Sequence, residues 1–289
     1  MRALVLGAAG GLGRSFQSYG HRFNQKIDWT FLDRAQLDVT NAFSIATKIE
    51  FYKPDVVINC SGYTAVDKAE GERQAAFRLN SDAVGFIAEE CKKKSIRFVT
   101  YSSDYVFEGK GDLPLKEKDP TNPISVYGES KLSGEKNALA YPSSIVIRTS
   151  WLYSEFGKSF PRTILEKAVQ GQPLKVVNDQ ISSPTWSYDL VELTMNLLEM
   201  NEVGLFHFSC SGVASWWDLA NKSVEIYNRI KKTELPPPEA IKTSDLNQAA
   251  KRPAYSVLNC DRIRKRAMRP RHWEVALEKF LPTLIHSWT

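Results

Sequence analysis

Ala3-Leu4-Val5-Leu6-Gly7-Ala8-Ala9-Gly10-Gly11-Leu12-Gly13 is the stretch on which the reading of this chain turns. Its apolar half is too short for a secretion signal and runs straight into spaced glycines. Leu12, Phe16 and Tyr19 then recur at helical spacing, so the segment reads as a buried strand, a tight turn and a helix. Glycine lets a backbone turn sharply and approach a pyrophosphate. The helix N-terminus behind it offers unpaired N–H groups and the positive end of its dipole. Gly7, Gly10, Gly11 and Gly13 are therefore candidate dinucleotide contacts. The spacing is G-x-x-G-x-x-G and not the more familiar G-x-G-x-x-G, and a plain tight turn is the competing reading.

Working outward, strand and helix signals alternate. Trp29 to Leu32, Asp55 to Asn59, Arg97 to Tyr101 and Ser144 to Arg148 read as strands. Between them lie a helix carrying Phe43, Ala46 and Ile49, capped by Thr40 or Asn41, and a long helix over 72–94 with Ala76, Leu79, Ala83, Ile87 and Cys91 on one face. Strands separated by helices imply an α/β fold with a doubly wound, Rossmann-type parallel sheet. After Trp151 the pattern loosens, with helices at 160–170 and 187–200, strands at 174–177 and 205–208, and a stiff linker at Leu235-Pro236-Pro237-Pro238. The expected organisation is a nucleotide-binding domain over 1–150 and a smaller substrate-binding lobe over 151–289, partly interleaved with the sheet.

Bulk properties narrow the class. With 289 residues, 43% hydrophobic and 25% charged, the chain is an ordinary globular one. No apolar run reaches the roughly 20 residues of a membrane span, so no membrane partner and a cytoplasmic location are expected. Cys60, Cys91, Cys210 and Cys260 are far apart and His21, His207, His272 and His286 are scattered, which argues against disulfides and a metal site. Net charge is +5, with a basic run at Arg262, Arg264, Lys265, Arg266, Arg269 and Arg271. It reads first as a solvated helix face and second as a diphosphate-binding surface. No aromatic-interleaved module accompanies it, so nucleic acid is not an expected partner.

Chemistry-bearing residues follow the strands. Asp33, after the second strand, is placed to accept hydrogen bonds from the adenosine ribose, which favours NADH, while Arg34 beside it would neutralise the 2′-phosphate of NADPH. Asp38-Val39 are candidates to flank the adenine. Tyr127 and Lys131, four apart, share one helix face. Tyrosine can protonate an alkoxide formed from a ketone, and an ammonium beside it favours the phenolate and brings the acid towards working pH. Ser103, with Ser102 competing, lies at the carboxyl end of a strand, where ligands bind in such sheets. Its hydroxyl can hold a carbonyl oxygen.

Taken together, Thr64-Ala65-Val66-Asp67-Lys68-Ala69-Glu70, Ser103-Asp104-Tyr105-Val106-Phe107, Tyr127 with Lys131, Arg148-Thr149-Ser150-Trp151 and Asn178-Asp179-Gln180 resemble the dTDP-4-dehydrorhamnose reductase family of extended short-chain dehydrogenases. The likeness runs from residue 1 to about residue 265 and continues in Arg252-Pro253 and Ser256-x-Leu258-Asn259. It implies NAD(P)H contacts at Gly10, Gly11, Leu12, Asp33, Asp38, Val39, Gly62, Tyr63, Thr64 and Tyr101. It further implies catalytic roles for Ser103, Tyr127 and Lys131, and sugar-nucleotide contacts from Asp104 and Trp151. Arg252 is a candidate for the diphosphate, and Asn80 for a contact near the site. Serine stands at 103 in place of the usual threonine, and Gly62-Tyr63 where alanine and histidine are expected. Ser15 occupies the place of a glutamate that in some members binds magnesium, so no metal is carried over.

The implied reaction is NADPH- or NADH-dependent reduction of the 4-keto group of a nucleotide-linked 6-deoxy sugar, most simply dTDP-4-dehydrorhamnose to dTDP-rhamnose, as part of polysaccharide synthesis. A reductase or epimerase of another nucleotide sugar is one alternative. The other is a non-catalytic regulatory subunit like that of methionine adenosyltransferase, against which Asp104 argues. A homodimer is left open.

Overall fold

The computed structural model describes residues 1–286 and Trp288. Ser287 and Thr289, at the end of the expected 151–289 lobe, lie outside the described residues. The first half runs β1 (Arg2–Leu6), α1 (Gly11–Phe23), β2 (Asp28–Leu32), α2 (Ala42–Tyr52) and β3 (Val56–Asn59). It continues through α3 (Val66–Gly71), α4 (Arg73–Phe77), a π-helical turn (Arg78–Asp82), α5 (Ala83–Lys93), β4 (Arg97–Ser103), α6 (Val126–Leu139) and β5 (Ser144–Thr149). The second half begins with β6 (Leu152–Tyr153), α7 (Phe160–Val169), β7 (Lys175–Val177), β8 (Ile181–Ser182), β9 (Thr185–Trp186) and α8 (Ser187–Glu199). Then come β10 (Gly204–His207), β11 (Ala214–Ser215), α9 (Trp216–Lys231), β12 (Glu239–Ile241), α10 (Asp261–Arg264) and α11 (Trp273–His286).

Six of these strands form one sheet in the order β10-β5-β4-β3-β1-β2, every neighbouring pair parallel. The chain leaves β1 for β2 on one side and then crosses to β3 on the other. That reversal opens a crevice above the carboxyl ends of β1 and β3, where doubly wound sheets bind ligands. Alternation along each strand feeds two cores. Ala3, Val5, Val56, Ile58, Ile145 and Ile147 pack on one face with Leu12, Phe16 and Tyr19 of α1 and Leu190 and Leu193 of α8. Leu4, Leu6, Val57, Phe98 and Val146 pack on the other face with residues of α2, α5 and α6. A third core joins α7, α9 and α11.

The helix expected over 72–94 runs without a gap from Arg73 to Lys93, with a π turn at Arg78–Asp82 where α6 packs on its backbone: a Cβ on Gly134 would lie 1.8 Å from the Asn80 carbonyl oxygen. The basic run is divided: Arg264, Lys265 and Arg269 are exposed, as a solvated face requires, while the other three turn inward. Arg262 donates to the Leu205 and Val203 carbonyls and covers the Phe206 ring, Arg266 pairs with Glu202, and Arg271 pairs with Asp189. Arg262 and Arg266 thus close the outer edge of β10, the usual point of unwanted strand pairing.

Candidate active site

At the turn after β1, Gly7 adopts a positive φ of 75° and its missing Cβ would sit 2.6 Å from the Ser61 nitrogen. A Cβ on Gly13 would meet the Gly7 carbonyl oxygen at 2.5 Å. Only glycine allows β1, β3 and α1 to meet this closely. Gly10 caps α1 with no side chain to satisfy its first N–H groups. Beside it opens a cavity of about 580 Å³ lined by Gly7, Gly10, Arg34, Asp38, Val39, Gly62 and Tyr63. A cradle that a Cβ would fill, next to unsatisfied helix N–H groups, fits the diphosphate of a dinucleotide.

The other expected cofactor residues are placed unequally. Leu12 is buried in the core and outside the lining, whereas Val39, largely buried, lines the cavity as expected. Asp33 is not part of its lining; its Oδ1 accepts the Ala35 and Gln36 N–H groups and caps its own turn. Tyr63 is held by Asn80, whose Oδ1 accepts the Tyr63 N–H at 2.8 Å and whose Nδ2 donates to the Tyr63 carbonyl at 3.0 Å. The Tyr63 hydroxyl goes to Glu72. Thr64 is exposed and outside the lining. Tyr101 buries its ring in the core and shares a hydrogen bond with Thr194, leaving its carbonyl for the site.

The catalytic candidates converge. Ser125 caps α6 by accepting the Gly128 N–H at 3.2 Å. Gly128 lets this first turn lie against the backbone of Tyr105, since a Cβ would come within 2.2 Å of its carbonyl oxygen. Tyr127 is thereby set edge-on to Tyr105, ring centroids 5.5 Å apart, and close to Ser103 at the end of β4. Lys131, one turn further, donates to the Tyr101 carbonyl at 2.6 Å. Burial pushes its ammonium down to about 8, with Glu135 opposing. Burial also pushes the Tyr127 phenol up to about 12, with the Ser103 hydroxyl pulling back and Asp104 adding to the rise. The ammonium is engaged by the Tyr101 carbonyl, and desolvation is the largest influence on the phenol.

Ser103 rather than Ser102 faces this centre. Its hydroxyl donates to Asp104 Oδ1 at 3.0 Å, whereas Ser102 Oγ is buried without a hydrogen-bond partner. Asp104 is itself buried, and its Oδ2 accepts the Ser256 hydroxyl at 2.6 Å. Burial pushes its carboxyl up to about 6, against the two hydroxyls donating to it. Ser256 carried no role in the sequence reading; its place in the C-terminal motif was the only signal.

Trp151 has a positive φ of 47°, strained for a large side chain. Its ring is held by stacking on Trp216 at 3.7 Å. Sequence reasoning missed Trp216, for which the Trp216-Trp217 pair was a visible signal. A second cavity, of about 500 Å³, is lined by Trp216, Phe160, Leu174, Gln180 and Arg252. Arg252, in this lining, has its fork paired with Asp67 at 2.6 and 3.1 Å.

A family model described as the RmlD substrate binding domain matches residues 1–285. The chain belongs to the dTDP-4-dehydrorhamnose reductase family. It is 36% identical over 286 residues to the dTDP-4-dehydrorhamnose reductase of Aggregatibacter actinomycetemcomitans, covering 96% of this chain and 97% of that one. It is 35% identical over 285 residues to the spore coat polysaccharide biosynthesis protein SpsK of Bacillus subtilis, covering 97% and 96%. The crystal structure of the reductase from Bacillus anthracis in complex with NADP superposes with a TM-score of 0.90 at 30% identity, covering 96% and 98%. Within this family frame Ser15 is notable. Its buried hydroxyl donates to Ser187 at 2.8 Å and lies 3.2 Å from Ser154, joining α1 to α8.

Proposed function

We propose that this reductase-family chain converts the 4-keto group of a nucleotide-linked 6-deoxy sugar to an alcohol, taking dTDP-4-dehydrorhamnose to dTDP-rhamnose with NADPH or NADH. One observation carries the reading: Ser103, Asp104 and Tyr127 converge at the carboxyl end of β4, with Lys131 anchored behind them on the Tyr101 carbonyl. The glycine turn and helix α1 would hold the cofactor diphosphate, and a bound nicotinamide supplies the hydride.

Tyr127 keeps its proton at neutral pH, so it is an acid able to donate to the oxygen at C4. Ser103 orients that oxygen through a hydrogen bond that strengthens as negative charge develops. Lys131 contributes positive charge to the hydrogen-bonded wall formed by Tyr101. Asp104 holds Ser103 and ties it to the later half of the chain through Ser256. Trp151 and Trp216 offer a flat apolar wall suited to a deoxysugar ring, and the cavity beyond them has room for the nucleoside. Residues 151–289 would then be the substrate lobe on a cofactor domain of residues 1–150. Among the described residues no helix is long and apolar enough to cross a membrane, and we place the enzyme in the cytoplasm, acting on a nucleotide sugar and not on nucleic acid, with a homodimer as the assembly to test.

The test is absorbance of reduced nicotinamide while the purified chain meets dTDP-4-dehydrorhamnose. Oxidation should require the sugar and fall by about 10²–10⁴-fold in Tyr127→Phe, the range of a lost general acid. A folded protein that binds cofactor but shows no sugar-dependent oxidation would refute the reading.

A further inference from the structure

One short helix reaches two separate parts of the site. Gly62 and Tyr63 line the glycine-turn cavity, and the chain then enters α3 at Val66. Ala69 of α3 is fully buried in a small apolar cluster with Ala76 and Val126, against which Tyr63 and Tyr127 also pack. The cluster seats α3 between a wall of the first cavity and the catalytic tyrosine.

The two acids of α3 then act in different directions. Asp67 accepts both arms of the Arg252 fork, at 2.6 and 3.1 Å, and the Ala250 N–H at 3.1 Å. Arg252 also donates to the Ala250 carbonyl at 3.0 Å, so its guanidinium is fixed where it lines the second cavity beside Trp216. Glu70 accepts the Val126 N–H at 2.9 Å. Val126 opens α6 immediately before Tyr127. Its N–H is one of those that no carbonyl within the helix can take, and the helix dipole favours a carboxylate there. Tyr105 lies between the two ends, beside Arg252 and edge-on to Tyr127. Asp67 is exposed, and an ion pair with an exposed partner adds little stability. Its consequence is geometric, because a long arginine side chain serves a ligand better when its fork is already held.

We propose that Asp67 and Glu70 are positioning residues of the reductase site: Asp67 holds Arg252 in the wall of the substrate cavity, and Glu70 holds the first turn of α6, and with it Tyr127, beside Ser103. The inference rests on the proposed reduction and adds two residues that act through others. Substrate capture and proton delivery are thereby tied to one helix seated against the cofactor cavity.

Steady-state rates with dTDP-4-dehydrorhamnose, together with calorimetry of dTDP alone, separate the two roles. Asp67→Asn should raise KM for the sugar nucleotide by about three- to tenfold and weaken dTDP binding in parallel, with kcat within about twofold of the wild type. Glu70→Ala should lower kcat by roughly three- to tenfold and leave dTDP affinity unchanged, and Glu70→Gln, which keeps an acceptor oxygen, should recover part of the rate. The stoichiometry of dTDP binding gives the competent fraction, so partial unfolding does not pass for a lower kcat. Arg73→Ala, which breaks the exposed Arg73–Glu129 pair between α4 and α6, should move neither constant. An active wild type whose KM and dTDP affinity are unmoved in Asp67→Asn, or whose kcat is unmoved in Glu70→Ala, overturns the positioning roles alone. The same changes in Arg73→Ala would assign them to general loosening around α6 and overturn the inference as well. A wild type that binds dTDP but shows no sugar-dependent oxidation overturns the proposed reduction itself.

Discussion

Asp104 is a carboxylate held in a place that penalises its charge. Its folded pKa of about 6 stands above the ordinary value of 3.8, and burial is the main cause. Between those values the native chain holds a proton that the unfolded chain has released. Stability from this group is therefore greatest below about pH 4, falls as pH rises, and is lowest once pH has passed about 6. The cost of the full charge is on the order of 2–3 kcal/mol. Urea unfolding of Asp104→Asn beside the wild type should show the variant gaining relative stability between pH 4.5 and 7.5 by about 2 kcal/mol, while its turnover falls. A stability difference that does not vary with pH would contradict this account. Tyr127, Lys131 and Ser103 were legible in the sequence because helix and strand periodicity fix their directions. The fates of Asp33 and Arg252 were not, since each carboxylate or guanidinium had several partners within reach of its local chain.

The π turn between α4 and α5 belongs to the element scale. Apolar spacing over 72–94 specifies helix but does not distinguish a π turn from a regular one, because both keep one face inward. The distinction comes from α6, where Gly134 rests on the Asn80 carbonyl and Asn80 turns its side chain to Tyr63 and Ser130. Gly134→Ala should destabilise by about 1–3 kcal/mol, the usual cost of overpacking against an unyielding neighbour. Gly71→Ala is the matched control, since nothing lies within 4 Å of its added Cβ. It should be neutral or slightly stabilising at the end of α3. Thermal unfolding of both variants decides the matter, and equal effects would remove the steric explanation. The helices α9 and α11 escaped the sequence reading for a different reason: their apolar faces serve a core built only among late elements.

At the scale of the whole molecule, the cofactor half does not close its own sheet. β10 pairs with β5 by the register Gly204–Ile145 to His207–Arg148, and α8 covers the face of α1. A fragment of residues 1–150 would expose Leu12, Phe16, Tyr19 and the outer edge of β5 to water. It should bind a hydrophobic dye and lack a near-ultraviolet dichroism signal, while the full chain shows one. A well-packed, cooperatively unfolding fragment would show that the sheet needs no completion from the later half. The sequence by itself determined the alternation of strands and helices, the glycine turn and the Tyr127–Lys131 pair, since each is encoded between residues a few positions apart. Only the tertiary structure decided that Asp104 meets Ser256, 152 residues away, and that Arg252 meets Asp67, 185 residues away. Local propensity cannot select among such partners; the packing of one half of the chain on the other does.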